Sequence, residues 1–394
     1  MFSRIDRNAK FSILVAFLVI SMATLRYVPF MKPVGIDLLN IVLYHKCAVH
    51  TSPYLVDATV CGDELGRGMN YPPFLFHSFR WLRGMTLASA MRVWTPFLLL
   101  AMLGVLYAWV RLIARPRWDS RYWEIPIFCG LILFQYPFVF ELERGQTDVV
   151  ALVFFTAGCF CFTRRKLWLA GALFGLATAY KLYPLFACAI ITLALLLAKP
   201  KRGPRFNADW LRFGFGAFGA FMAANLAFYS DSKLYFFTTL PKVSAMYTPA
   251  WTWVHAHSFT SLVGPDYSPF SWVFCAGMVG LWAWAASRAI MQGEDGLALA
   301  GSLAPSTYFA AFTFDYNLVT IYPLLLLLFL RARRCDRWGL LAFGSFVMFG
   351  DRQTFANPEA AIFNPTVHIT LQLAFLTVAA IAVAQPVEPQ YRNA

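Results

Sequence analysis

Charge is scarce in this chain. Asp, Glu, Lys and Arg make up 13% of its 394 residues, about half the ~25% of a soluble domain. A soluble chain of this length would build two or three cores, and here there is too little polar residue to cover one. Regular polar–apolar alternation is also missing. The apolar runs are continuous, which argues against a β-barrel. There is no C-x-x-C pair, no His/Cys cluster with metal-ligand spacing, no short-period repeat and no low-complexity tail.

What is abundant is apolar: 59% of the residues are hydrophobic. Runs approaching about 20 residues, the length of a membrane crossing, recur from end to end. The expectation is an all-α, polytopic membrane protein, one integral domain over residues 1–394 with about twelve transmembrane helices. Hydropathy puts them near 11–30, 88–113, 124–140, 149–163, 167–182, 184–198, 213–229, 270–288, 297–313, 318–330, 338–349 and 366–384. The run from Phe11 follows Arg4, Arg7 and Lys10 as in a signal peptide. It is long, however, and reaches Arg26 and Tyr27 with no small-x-small cleavage site, so a retained span is expected. Residues 386–394 are expected to be a disordered tail.

The stretch Phe140–Pro184 sets the topology. Its polar residues fall in three clusters: E-L-E-R-G-Q-T-D, then the basic T-R-R-K, then K-L-Y-P. If the chain crosses the bilayer between clusters, the outer two share one side and the basic one takes the other. With the N-terminus inside, the whole formal excess of +13 falls on inside segments and the outside comes out neutral. The basic loops are therefore topology signals facing anionic headgroups, and no nucleic-acid partner is expected. The long segments 31–86 and 231–268 lie outside. A site built from loops would be extracytoplasmic, with both termini cytoplasmic. Cys47 and Cys61 share the first outer loop and could pair if it faces an oxidising compartment. The cysteines Cys129, Cys159, Cys161, Cys188, Cys275 and Cys335 lie in or beside apolar runs as small core residues.

The outer polar residues are the candidates for chemistry. Asp37, in V-G-I-D-L-L-N, is a helix cap or a functional carboxylate. Tyr71, in N-Y-P-P, marks a fixed turn back to the membrane. The aromatic and basic stretch 74–86 reads as an interfacial helix, whose Arg80 and Arg83 snorkel or hold a lipid phosphate. Arg144, Gln146 and Asp148 crowd a tight turn that Gly145 permits, and Asp148 could cap the following span. Lys181 and Tyr183 sit where two short spans meet at Pro184, a junction that can line a cavity. Trp251, Trp253 and Phe259 offer an aromatic face for a sugar or an interfacial belt, and His257 lies between them as a candidate substrate contact. Asp315 and Asn317 lie in T-F-D-Y-N-L, either as turn residues or as polar contacts.

These pieces, in this order, resemble family 87 glycosyltransferases of the GT-C superfamily. The resemblance rests on Gly35-Ile36-Asp37, on Tyr71-Pro72-Pro73, on Arg144 to Asp148 followed by Gly171 to Pro184, and on His257-Ser258-Phe259. It departs at Phe314-Asp315-Tyr316-Asn317, where the family commonly carries Trp-Asp-His-His and both histidines are missing here. The resemblance implies a GT-C-like bundle with interfacial helices in its first outer loop. It implies an inverting enzyme that takes a hexose, mannose by family expectation, from a polyprenyl-phosphate carrier to a glycolipid or cell-envelope glycan. Asp37 would be the general base. Arg144 and Lys181 would stabilise the departing phosphate, with Arg80 and Arg83 as reserves. Gln146, Asp148 and Asp315 would hold sugar hydroxyls, with Tyr71, Tyr183, His257 and Asn317 as further substrate contacts. The donor lacks a pyrophosphate, so neither a metal nor another cofactor is required. The membrane expected is the plasma membrane, with membrane lipids, donor and acceptor as partners. The competing class is a transporter or flippase of a lipid-linked glycan. Against it, no inverted repeat is visible and the polar groups gather on one face.

The charge pattern is directly testable. A reporter that is active only outside the cytoplasm, fused after Gln146 or Gly264, is expected to be active. Activity of a cytoplasmic reporter at the same points would overturn the topology.

Overall fold

The apolar runs that fall among the described residues fold as helices. In the computed structural model the described residues are 35–63, 68–110, 124–198, 208–247, 269–309, 315–332, 337–349 and 365–386. Among them all regular structure is helical. The segment expected as the first outer loop contributes α1 (Ile36–Cys47) and α2 (Pro73–Ser78), with a 3₁₀ turn at Arg80–Leu82. Then come α3 (Leu87–Ala108), α4 (Glu124–Leu133), α5 (Tyr136–Arg144), α6 (Asp148–Thr163), α7 (Leu167–Tyr180), α8 (Pro184–Leu197) and α9 (Asp209–Leu226). After these, α10 (Tyr229–Leu234), a π turn at Tyr235–Thr239 and α11 (Leu240–Tyr247) run on as one segment. The chain ends with α12 (Pro269–Gln292), α13 (Asp295–Ser306), a 3₁₀ turn at Asp315–Ile321, α14 (Tyr322–Arg331), α15 (Arg337–Phe349) and α16 (Pro365–Ala384). The expected span at 11–30, His257 and its aromatic neighbours, and the tail beyond Pro386 lie outside the described residues.

Against about twelve expected spans, two described helices are long and apolar enough to cross a membrane alone, Leu87–Ala108 and Val273–Gln292. The count rises to four if each of two bent pairs is one span. The first pair, α4 and α5, bends by 48°, and the break falls at Gln135 before Pro137. Gln135 donates to the Ser345 hydroxyl at 2.7 Å, so the break is polar and held by a neighbouring helix. The second pair bends by 103° where α9 gives way to α10. Ser232 stabilises that corner by donating to the Asn225 carbonyl at 2.9 Å. Residues 231–247, expected as loop, are therefore helical. The helices α6, α7 and α8 are shorter. Fourteen residues rise only about 21 Å, against an apolar layer of about 30 Å.

Small residues set the closest helix crossing. A Cβ on Gly171 would stand 2.1 Å from the Phe213 carbonyl oxygen, and one on Gly175 2.1 Å from that of Ala217. The G-x-x-x-G face of α7 thus lets α9 approach backbone to backbone, and Lys181 sits at the end of this pair.

The outer layer is tied down separately. Cys47, the last residue of α1, is disulfide-bonded to Cys61 across a Cα–Cα distance of 5.4 Å. In the chain-entropy account, closing a loop of this size contributes about 3 kcal/mol. His45 on the same helix donates from Nε2 to the Phe76 carbonyl at 2.9 Å and stacks on the Phe76 ring. Burial lowers its pKa to about 4, and the neighbouring His77, Arg80 and Arg83 add to the effect.

His45 generates a prediction with a definite sign. Between pH 6.5 and about 4 the unfolded chain protonates His45 and the folded chain does not. Stability is therefore lost as pH falls through that window, by up to about 1.4 kcal/mol per pH unit. Thermal unfolding in detergent at pH 7.5 and pH 5 should show a smaller shift for His45→Gln than for the parent. Equal shifts would contradict the assignment.

Candidate active site

Two left-handed glycines bring the distant motifs together. Gly35 (φ 52°) caps the start of α1 and Gly145 (φ 66°) ends α5. The Gly35 amide donates to the Glu143 carbonyl at 3.0 Å. A Cβ on Gly145 would lie 2.8 Å from Leu38 Cβ, and one on Gly35 would lie 2.8 Å from Met91 Sδ. Neither position has room for a side chain, and both use a conformation that favours glycine. At α5 the Gln146 amide reaches back to the Glu141 carbonyl at 3.0 Å, closing the helix end. The Gln146 carbonyl in turn accepts from the Trp94 indole at 3.0 Å.

This crossing puts Asp37 against the turn. Arg144 donates to Asp37 from Nε at 2.5 Å and from Nη2 at 3.2 Å, and Gln146 Nε2 donates to Oδ2 at 2.6 Å. Asp37 is therefore not the cap of α1: Gly35 is, and the carboxylate is spent on Arg144 and Gln146. Asp148 is not a cap either. It is the first residue of α6, behind the cap Thr147. Its carboxylate pairs with Lys181 Nζ at 3.2 Å and accepts from Asn317 Nδ2 at 2.6 Å. Lys181 also donates to Gln146 Oε1 at 3.4 Å and stands 5.2 Å from the centre of the Tyr71 ring. The Tyr183 ring is buried beside Asp148.

The result is one connected cluster, Asp37–Arg144, Asp37–Gln146–Lys181 and Lys181–Asp148–Asn317, with Tyr71 over the lysine. Its side chains are largely withdrawn from solvent, from 0% exposure at Asp148 to 19% at Arg144. Removing one partner from a buried pair leaves an uncompensated charge, at a cost of about 3–5 kcal/mol. Chemically the arrangement offers two carboxylates paired with two cations, Asp37 with Arg144 and Asp148 with Lys181, bridged by Gln146. Of the ten sequence candidates the structure joins Asp37, Tyr71, Arg144, Gln146, Asp148, Lys181 and Asn317, and sets Tyr183 beside them. Asp315 opens the 3₁₀ turn before Asn317, and its side chain, like His257, lies outside the described part. Arg80 stands over the Phe228 ring at 6.0 Å.

Two things were missed. One is Glu141, fully buried beneath the turn; its signal was only its place in a polar patch. The other is a tie in the outer layer. Asp231 on α10 accepts from Ser52 at 2.6 Å and from His77 Nε2 at 2.7 Å, and His77 stacks on Phe228. Burial alone would raise the Asp231 pKa, but the bonds from His77 and Ser52 outweigh it and hold the carboxyl below its usual range. Tyr54, two residues from Ser52, donates to the Tyr71 carbonyl at 2.7 Å. The tie thus extends to the ring over Lys181. Among the described residues no group of three His, Cys, Asp or Glu side chains could hold a metal ion.

Comparison with known proteins adds one finding. No curated protein and no solved structure matches the chain. The family model for glycosyltransferase family 87 matches residues 70–314, more than half of the chain and inclusive of Tyr71, Arg144, Gln146, Asp148 and Lys181. Asp37 precedes the matched segment and enters the site through its contacts with that segment. The chain belongs to glycosyltransferase family 87.

Proposed function

We propose that this membrane glycosyltransferase is an inverting hexosyltransferase of the GT-C type. It moves a hexose, mannose by family expectation, from a polyprenyl-phosphate carrier to a glycolipid or cell-envelope glycan at the outer face of the plasma membrane. The observation that carries the proposal is the contact of Asp37 with Arg144 and Gln146, joined through Gln146 and Lys181 to Asp148. An inverting transfer needs a base opposite a leaving group whose charge is stabilised. This cluster supplies two carboxylates and two cations, with Arg144 directly on Asp37 and Lys181 on Asp148.

In the reaction the donor phosphate draws Arg144 and Lys181 toward itself, which loosens their hold on Asp37 and Asp148. Asp37 takes the proton of the acceptor hydroxyl. The acceptor oxygen attacks the anomeric carbon, and the bond from that carbon to the phosphate oxygen breaks. The electron pair leaves on the polyprenyl phosphate, where Arg144 and Lys181 meet the negative charge. Gln146, Asp148 and Asn317 orient the sugar hydroxyls, and Tyr71, Tyr183, Asp315 and His257 complete the pocket. No cofactor enters this scheme. Two features support an outer-face site. The neutral outside and the basic inside follow the positive-inside rule, and the Cys47–Cys61 disulfide suits an oxidising compartment.

The test uses the full chain in nanodiscs with a synthetic polyprenyl-phosphate hexose and candidate acceptors. Asp37→Asn is expected to lower kcat by about 10²–10⁴-fold while donor binding persists. Lys181→Met is expected to raise the donor KM as well. Full activity of Asp37→Asn would remove the base role. Lipid movement with no glycosidic product would favour a flippase.

A further inference from the structure

Glu141 is an ionisable residue that the scheme above does not use, and it is 0% exposed. It sits on α5, seven residues before Asp148. Its Oε1 accepts the Val149 amide at 2.9 Å. Val149 is the second residue of α6, where the cap side chain ordinarily takes the amide. The cap, Thr147, makes no such bond, and its hydroxyl is buried without a partner. Glu141 therefore does the capping from the preceding helix. Its main-chain carbonyl also holds the Gln146 amide at 3.0 Å. One residue thus fixes both ends of Gln146-Thr147-Asp148. Gln146 bonds Asp37, and Asp148 bonds Lys181 and Asn317.

We propose that Glu141 is a positioning residue for the glycosyl transfer. Through the reach of its side chain, its Oε1 sets the geometry of the turn that aims Asp37 and Lys181. The proposal rests on Asp37 being the base. Reach is the deciding property because the work done at Val149 is that of an acceptor. A glutamine oxygen accepts the same amide at the same length. An aspartate keeps the carboxyl group but withdraws the oxygen by about one C–C bond, roughly 1.5 Å, and a gap of that size is not a hydrogen bond. The other carboxylate oxygen, Oε2, is buried with no hydrogen bond of good geometry. The Asp148 amide acts on the carboxyl more weakly than the Val149 amide does, so glutamine keeps the larger of the two contacts.

The experiment compares Glu141→Gln and Glu141→Asp in the full chain, measuring kcat, donor KM and thermal midpoint. Glutamine is expected to rescue kcat to within about threefold of the parent. Aspartate is expected to lower kcat by about 10²-fold, the scale of a misplacement near 1 Å, with a smaller change in donor KM. A role confined to stability would move the thermal midpoint and leave kcat of the folded fraction unchanged in both variants, which overturns the proposal. So does a glutamine variant as slow as the aspartate one, or slow by itself if the aspartate variant fails to fold, because the carboxyl group itself would then matter more than reach. Asp37→Asn is run alongside. If it is fully active, the base assignment fails whatever Glu141 does. If it is inactive while the order of the Glu141 variants is reversed, only the positioning proposal fails.

Discussion

Everything in the site depends on Asp37 meeting Arg144 across two glycines. The carboxylate enters from α1 and the guanidinium from the end of α5, 107 residues apart in sequence. They meet because Gly35 and Gly145 both adopt the left-handed conformation and pack without side chains between them. Met91 fills the remaining space, so α3 is locked to the same crossing. The ion pair and the steric fit support each other. Without the fit the charges would stand apart, and without the pair the crossing would bury an unbalanced charge.

The rest of the molecule keeps that crossing in place. Gly171 and Gly175 bring α7 against α9, which fixes where Lys181 leaves the helix. The outer layer comes from the other direction. Asp231 ties Ser52 and His77 to α10, and Tyr54 carries the tie to Tyr71 and so to the lysine. Two cations are held by carboxylates that have other partners. Under the proposed transfer, a donor phosphate would compete with these internal carboxylates, and its binding would release Asp37 in the same event.

Much of the site was legible in the sequence because charge is so rare in this chain. A lysine at the junction of two apolar helices, or four polar residues in a turn, conflicts with the apolar background, and the conflict marks the candidate site. Asp37, Arg144, Gln146, Asp148, Lys181 and Asn317 were found this way, and the structure joins them. The local sequence left a cap and a functional carboxylate both open, and long-range contacts decided between them. Asp37 and Asp148 both sit where an acidic cap belongs, and both side chains turn instead to partners far away in sequence. Glu141 was overlooked because its work is a single bond to a backbone amide, which leaves no residue-type signature. The His77–Asp231 tie joins residues 154 positions apart, beyond the reach of any pattern in the sequence. In the fold, hydropathy located the helices well. It could not show that Gln135 breaks one of them, or that the chain turns by 103° after Leu226 and stays helical.

The central claim is that Asp37 and Arg144 act as one unit in sugar transfer. The most direct measurement is a double-mutant cycle on kcat/KM with Asp37→Asn, Arg144→Gln and the pair. If the two work through each other, the double variant loses little more than the worse single one. If the losses multiply, the residues act independently, and the account of the site built on their contact is wrong.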